Sequence, residues 1–426
     1  MRCSREIRFA SSLTFRSGEV KQMKLVQINS TCRRGSTGKI CAAISGLLTR
    51  EGIENHILYT HDASQEVQNI NCGTPLTKVD PGLSKFTGLY GFTSYWETRK
   101  MLSALERIQP DLLQIHNIHG HDCNLETLCN FLADRGIQTV WTFHDCWAFT
   151  GYCTYFDLAG CNRWRSGCFD CPQRKKYSWL FDRSSALWER KRKAVSRLNL
   201  TIVTPSAWLA GLVSESFLKD VPTHVIHNGI DRSVFHPCAG TFRERYGLEG
   251  RKLVLGVALV WDKRKGLADL IQLSSRLPED YRIVVIGTND AIDRTLPPGI
   301  ISIHRTHNQA ELAEIYSAAD VLVNPTYEDN FPTVNLEALA CGTPVITYRT
   351  GGSPESLNEA CGRIIPQGDS DALLREVLHV CEHRPFSPED CTKRAENFDQ
   401  NNCFTEYIRL YHHLHSGQES TAEVSV

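Results

Sequence analysis

Glu328-Asp329-Asn330-Phe331-Pro332-Thr333-Val334-Asn335-Leu336-Glu337-Ala338, followed by Cys341-Gly342-Thr343-Pro344-Val345-Ile346, is the stretch on which the reading of this chain turns. Two carboxylates, Asp329 and Glu337, flank a loop that opens a helix, and Gly342 and Pro344 stop that helix before a β-branched run. A carboxylate can accept two sugar hydroxyls at once, and amides at a helix start can hold a pyrophosphate beside it. One segment could therefore grip both halves of a nucleotide sugar.

Outward from this segment, short β-branched runs alternate with amphipathic stretches, the pattern of a parallel sheet flanked by helices. The second half predicts strands at 252–258, 281–286, 300–304, 320–323 and 344–347, with helices at 266–276, 308–318 and 334–340. The first half predicts strands at 24–29, 55–60, 111–116, 138–143, 200–204 and 223–226, with helices including 38–51 and 125–135. Each series reads as a doubly wound, Rossmann-like α/β unit. Between them, His227-Asn228-Gly229-Ile230-Asp231 and His236-Pro237 mark turns.

These features predict an N-terminal unit at 23–227, a hinge at 228–240 and a C-terminal unit at 241–395. A helix at 396–415 carries Phe398, Phe404, Tyr407 and Tyr411, and a disordered polar tail at 416–426 follows it. Residues 1–22 read as an extension outside the fold, because Met23-Lys24 directly precedes the first strand.

The chain has 426 residues; at roughly 150 residues per domain, this length suggests two or three domains, or two large ones. Hydrophobic residues at 41% and charged residues at 22% suit a globular chain with sizeable cores. Lys plus Arg (47) against Asp plus Glu (48) gives a net charge of -1, so no global field draws in a polyanion, and nucleic acid is not an expected partner. No apolar run is long enough to span a membrane. The 17 cysteines and the lack of a secretory leader favour reduced thiols and a cytoplasmic location, at most peripheral at the inner face of the membrane.

Ligands in open parallel sheets sit beyond the carboxyl ends of the strands. After the first strand comes Arg33-Arg34-Gly35-Ser36-Thr37-Gly38-Lys39, where Gly35 and Gly38 open a helix toward a diphosphate. His116, His119 and His144-Asp145 follow later strands, and His144 could hydrogen-bond a sugar hydroxyl. In the second half, Lys263-Arg264-Lys265-Gly266 lies between strand and helix, where Arg264 and Lys265 could meet phosphate. Asp369-Ser370-Asp371 has the form of a metal-nucleotide motif, but its place at a helix start reads as an N-cap.

The string from Asp329 to Glu337 resembles the acidic signature of retaining GT-B glycosyltransferases of family 4. Asn228-Gly229, Lys265-Gly266 and Gly351-Gly352-Ser353-Pro354-Glu355 are similar to that family's other landmarks, in the same order. The stretch 142–153, continued by Cys161, Cys168, Cys171 and Pro172, resembles a subgroup acting in colanic-acid and other exopolysaccharide biosynthesis. The resemblance spans about 23–412. It implies two Rossmann-like domains facing a central cleft, with a C-terminal helix crossing back to the N-terminal domain.

It further implies a retaining transfer, without a catalytic metal, from a UDP- or GDP-sugar to a saccharide or lipid-linked acceptor in cell-surface polysaccharide or lipopolysaccharide synthesis. Catalysis would fall to His144, Asp329 and Lys265. Donor binding would fall to Gly35, Gly38, Arg264, Lys265, Asn330, Phe331, Pro332, Thr333 and Glu337, with Glu337 on the ribose. Asp329 stands where the family carries Glu, and Leu259 or Val260 where it carries Arg.

Cys153, Cys161, Cys168 and Cys171 fall within the insertion 146–172 and end in a C-x2-C knuckle suited to structural zinc; disulfides and free packed thiols are the alternatives. Cys146 is a fifth candidate ligand. In 174–193, eight basic residues against Asp182 and Glu189, interleaved with Tyr177, Trp179, Leu180, Phe181 and Trp188, suit an anionic membrane surface. Two other readings are a sugar-nucleotide epimerase, which binds the same donor without an acceptor, and a zinc-braced nucleic-acid-binding protein.

Overall fold

A computed structural model describes residues 23–61, 66, 68–119 and 121–417. The extension 1–22 and the tail beyond 417 lie outside the described residues; Ser416, placed in the tail above, ends the last helix.

Two parallel sheets form. The first holds β1 (Lys24–Ile28), β2 (Glu54–Tyr59), β3 (Ile70–Asn71), β4 (Leu112–Ile115), β5 (Gln138–Thr142), β6 (Leu200–Thr204) and β7 (Thr223–Val225), in the order β3-β2-β1-β4-β5-β6-β7. The second holds β8 (Lys252–Val257), β9 (Tyr281–Ile286), β10 (Ile300–Ile303), β11 (Val321–Asn324), β12 (Val345–Tyr348) and β13 (Gly362–Ile365), in the order β10-β9-β8-β11-β12-β13. Ile28 pairs with Leu58 on one side and Ile115 on the other. Each sheet reverses its strand order once, between β1 and β4 and between β8 and β11, and the crevices at these points are where doubly wound folds bind ligands. Two short edge strands, β3 and β13, extend the strand set that the sequence predicts.

Helices cover both faces, so the strands read as nearly continuous apolar runs; Leu253, Val254 and Leu255 of β8 are fully buried. The helix expected over 396–415 runs Gln400–Ser416, and a separate helix, Pro388–Glu396, ends just before it. The break has a physical cause: Ile230 donates its N–H to Phe398 O and accepts from Gln400 N, each at 2.9 Å, while the Asp399 side chain caps the second helix. The chain's two crossings between the sheets thus run side by side.

The last helix returns to the first sheet. Phe404, Tyr407, Ile408 and Tyr411 bury against Ile40, Ile44 and Leu48 of the helix Gly35–Arg50 and against Leu25, Val140 and Val203 of the strands. Each such apolar side chain contributes about 1.5–3 kcal/mol on burial. Tyr411 Oη also donates to Gln114 Oε1 at 2.9 Å inside this core.

Candidate functional site

The carboxyl ends of β4 and β5 deliver the histidines. His116 is buried, with Nε2 3.2 Å from Gln27 Oε1 and Nδ1 3.1 Å from His144 Nε2, and the two imidazoles stack at 5.4 Å. Burial lowers the His144 pKa to about 4, with His119 adding to the fall and Asp145 opposing it. Burial and the neighbouring His144 push His116 well down too. The pair is therefore neutral near pH 7, one ring donating to the other.

His119 behaves oppositely. Burial disfavours its charge, but Asp145, 2.7 Å from Nε2, outweighs that and raises its pKa. Asp145 is lowered despite burial, through His119 and the Trp147 N–H. A hydrogen-bonded histidine-carboxylate pair, His119 and Asp145, thus sits beside the neutral imidazole pair.

Across the cleft, the loop after β11 carries the acidic segment. Asp329 Oδ2 lies 2.5 Å from Lys265 Nζ, and both groups are largely buried. Arg264 pairs with its neighbour Asp262, and its guanidinium lies 5.1 Å from the Tyr155 ring centre. Glu337, half-buried on the helix Thr333–Ala340, accepts from Tyr316 Oη at 2.9 Å. Burial raises its pKa, against Tyr316 and the charge of Lys39, which reaches across from the first helix. The loop's path depends on Gly351: its φ is +56°, and a Cβ there would come within 1.7 Å of Asp329 O.

Gly35 takes φ +69° at the start of its helix and stays exposed, while Gly38 is buried, where a Cβ would meet Thr31 Oγ1 at 2.6 Å. Pro332 precedes the helix Thr333–Ala340, with Thr333 in its first position. Asn330 and Phe331 are sited differently from a simple donor-binding expectation. Asn330 Oδ1 accepts from Ser206 Oγ at 2.5 Å and its Nδ2 donates to Phe143 O at 3.4 Å. Phe331 stacks on His227 at 4.8 Å and packs against Phe398. Both side chains join the two halves of the molecule, and Phe331 O also accepts from Asn228 Nδ2 at 3.2 Å.

Three further joining contacts were not evident from motifs. Leu158 N–H donates to Glu328 Oε1 at 2.8 Å, and Ala207 and Trp208 N–H groups donate to the Glu355 carboxylate at 2.8 Å each. Tyr155 reaches the basic loop. Residue type gives no signal of such partners, although Glu355 ends the string Gly351-Gly352-Ser353-Pro354-Glu355.

Cys153, Cys161, Cys168 and Cys171 line one small cavity, whereas Cys146 is buried apart from it. Among the described residues, the group whose metal-ligating atoms all lie within 4.8 Å is the exposed Asp290, Asp293 and His304, and no three of the four thiols close to that spacing. Cys146, Cys153, Cys161, Cys168 and Cys171 are free thiols. Asp369 accepts from Ala372 N–H at 2.9 Å, as an N-cap does.

The basic residues of 174–193 do not form one exposed patch. Lys191 is fully buried, donating to Trp147 O at 2.7 Å, because it shares the inner helical face with Leu187, Ala194 and Val195. Arg190 pairs with Glu126, and Arg192 and Lys193 with Glu189. No helix among the described residues is long and apolar enough to cross a membrane.

Residues 38–234 match the family model described as Glycosyltransferase Family 4, and residues 251–383 that described as Glycosyl transferases group 1. The chain is 22% identical over 415 residues to WcaC of Escherichia coli, by name a colanic acid biosynthesis glycosyl transferase, covering 92% of this chain and 100% of that one. Among solved structures, sucrose-phosphate synthase from Thermosynechococcus elongatus superposes with a TM-score of 0.70 at 15% identity, over 93% of this chain and 100% of that one. Anabaena HepE in complex with UDP-glucose superposes at 0.65 and 14% identity, over 92% and 99%.

Proposed function

The chain belongs to the family 4 glycosyltransferases of GT-B fold, and from that premise we propose that it moves a sugar from a nucleotide-sugar donor to a saccharide or lipid-linked acceptor in cell-surface polysaccharide synthesis, with retention of configuration. The observation that carries this reading is the Lys265–Asp329 ion pair at the second sheet's reversal point, facing the histidines of the first.

In this reading Lys265, Arg264 and the amides opening the helix at Thr333 bind the donor diphosphate, with Gly35 and Gly38 letting the first helix approach it. Glu337 holds the ribose. Donor binding separates Lys265 from Asp329, the ammonium turning to phosphate and the carboxylate to hydroxyls of the transferred sugar. Neutral His144 offers a hydrogen bond to the same sugar from the opposite wall.

Charge separates as the nucleoside diphosphate leaves, so cations and amides already aimed at the phosphates stabilise the transition state without a metal. The acceptor hydroxyl attacks from the face the diphosphate leaves, and its proton passes to a donor phosphate oxygen. Trapping a glycosyl-enzyme intermediate would overturn this step.

HepE was solved with UDP and with UDP-glucose, which favours a UDP-sugar over a GDP-sugar here. A membrane-borne acceptor is supported by one surface: Trp179, Leu180 and Phe181 are exposed beside exposed Leu83 and Phe86. Trp179 N–H donates to Lys85 O, and Arg183 Nε to Thr87 O, which joins the two segments. Exposed Lys175, Lys176 and Arg183 add the charge that anionic lipid attracts.

The test is nucleoside diphosphate release from UDP-, GDP- and ADP-sugars with a lipid-linked acceptor fraction, alongside EDTA controls and Glu337→Ala. Release with one donor, insensitive to EDTA and lost in the variant, is expected. A change of sugar stereochemistry without stoichiometric nucleotide release would identify an epimerase instead.

A further inference from the structure

We infer that Cys153, Cys161, Cys168 and Cys171 bind one structural zinc ion, which braces the finger that the first sheet's half extends to the acidic loop of the second. Four thiols from 19 residues of chain line a single cavity of about 10 Å³, with Tyr152, Phe156 and Trp164 among its other walls. A space of that size holds roughly one water-sized sphere. An all-sulfur donor set selects zinc over hard cations such as magnesium or calcium.

Zinc-sulfur bonds of about 2.3 Å place the four sulfurs within about 4 Å of one another. The four cysteines line one cavity but their sulfurs stand wider than this, with no three all within 4.8 Å, so the ion would draw them together as it binds. The surroundings suit a thiolate site. Gly151 N–H donates to Cys168 Sγ at 3.2 Å, and Cys171 N–H donates to Asp182 Oδ2 at 2.6 Å, fixing the knuckle's backbone. Each thiol passes its proton to solvent as its sulfur-zinc bond forms.

The long first spacing then has a purpose. The seven residues between Cys153 and Cys161 include Tyr155, against Arg264, and Leu158, bonded to Glu328. A tetrahedral four-thiolate site has no open position, so the ion anchors both ends of this finger and takes no part in chemistry.

The decisive experiment is elemental analysis of the full chain purified and kept in reducing buffer. Near one equivalent of zinc is expected, released by a mercurial thiol reagent and replaceable by cobalt(II) with thiolate-to-cobalt charge-transfer absorption. Cys161→Ser and Cys171→Ser should each carry less than about a tenth of an equivalent. Should these variants fold poorly, hydrogen exchange on the wild type decides: zinc release should speed exchange at Tyr155–Leu158 while the strands stay protected. Wild-type protein that lacks zinc and takes up no cobalt(II), or an intact mass lower by two hydrogens from a Cys153–Cys171 disulfide, overturns the inference. Because the readout is metal content, its failure leaves the glycosyltransferase reading untouched.

Discussion

Contacts of Glu328, Asn330 and Glu355 with the first half hold the two halves closed on each other, and Glu355→Ala should loosen that closed form without unfolding either half. The Glu355 carboxylate accepts N–H groups of Ala207 and Trp208, both at 2.8 Å, at the start of the helix Ala207–Ser214. A charge-assisted hydrogen bond contributes about 1.5–3 kcal/mol, but these amides are partly open to solvent, so water recovers much of the loss. A net cost of about 1–3 kcal/mol remains, in line with other helix caps. That shifts the closed-to-open ratio by roughly 5- to 150-fold.

Small-angle scattering should then give a larger radius of gyration for Glu355→Ala. Product analysis at saturating acceptor should show more donor hydrolysed relative to donor transferred, because an open cleft admits water. Glu355→Gln, which keeps one acceptor oxygen, should fall between. Unchanged scattering and unchanged partition, in a variant with wild-type circular dichroism, would refute the assignment of Glu355 to closure.

The neutral histidine pair makes stability depend on pH. With the folded His144 pKa near 4 and an unfolded value of about 6.5, the unfolded chain binds the extra proton, so stability falls as pH drops through that window, by on the order of 2 kcal/mol. Urea midpoints from pH 7 to 4.5 should show that slope, reduced in His144→Gln. Tyr411→Phe leaves Gln114 Oε1 without its buried donor and should cost about 1–3 kcal/mol in chemical denaturation. Phe86→Glu combined with Phe181→Glu should weaken sedimentation with vesicles containing anionic lipid, while release of nucleotide to a soluble acceptor analogue persists; equal sedimentation would remove that surface from the account.

Legibility in the sequence followed period and punctuation. Buried parallel strands such as 253–257 are apolar throughout, and their ends, with His116, His144, Lys265 and Asp329 close behind them, stood out without any contact information. The two-residue β3 and the Gly-led β13 are too short to carry a period. The break before Gln400 depends on pairing with Ile230, some 170 residues earlier, which no local pattern encodes. The burial of Lys191 is legible in the helical period, since Leu187, Lys191, Ala194 and Val195 share one face, although its charge alone points outward. The side-chain directions of Asn330 and Phe331 were not readable, because the same residue types suit a ligand and a domain contact equally.

Those directions carry a consequence for mechanism. Of four consecutive residues, Glu328 is bonded to Leu158, Asn330 to Ser206 and Phe143, and Phe331 to Asn228, all in or bordering the first half of the fold. Asp329 alone is left to face Lys265. Closure and placement of the sugar-facing carboxylate are therefore one motion, since the loop cannot leave the first half without carrying Asp329 with it. Asn330→Ala should accordingly act on turnover more than on folding: Ser206 Oγ keeps its own cap bond from Leu209 N–H, while the loop loses its central tether. We expect kcat to fall about 10- to 100-fold, the equivalent of about 1.4–2.8 kcal/mol, with little change in melting temperature. Combined with Asp329→Asn, the two losses should fall well short of additive, because a carboxylate already misplaced has less to lose when it is neutralised. Fully additive losses would separate closure from sugar placement and return Asn330 to a purely structural part.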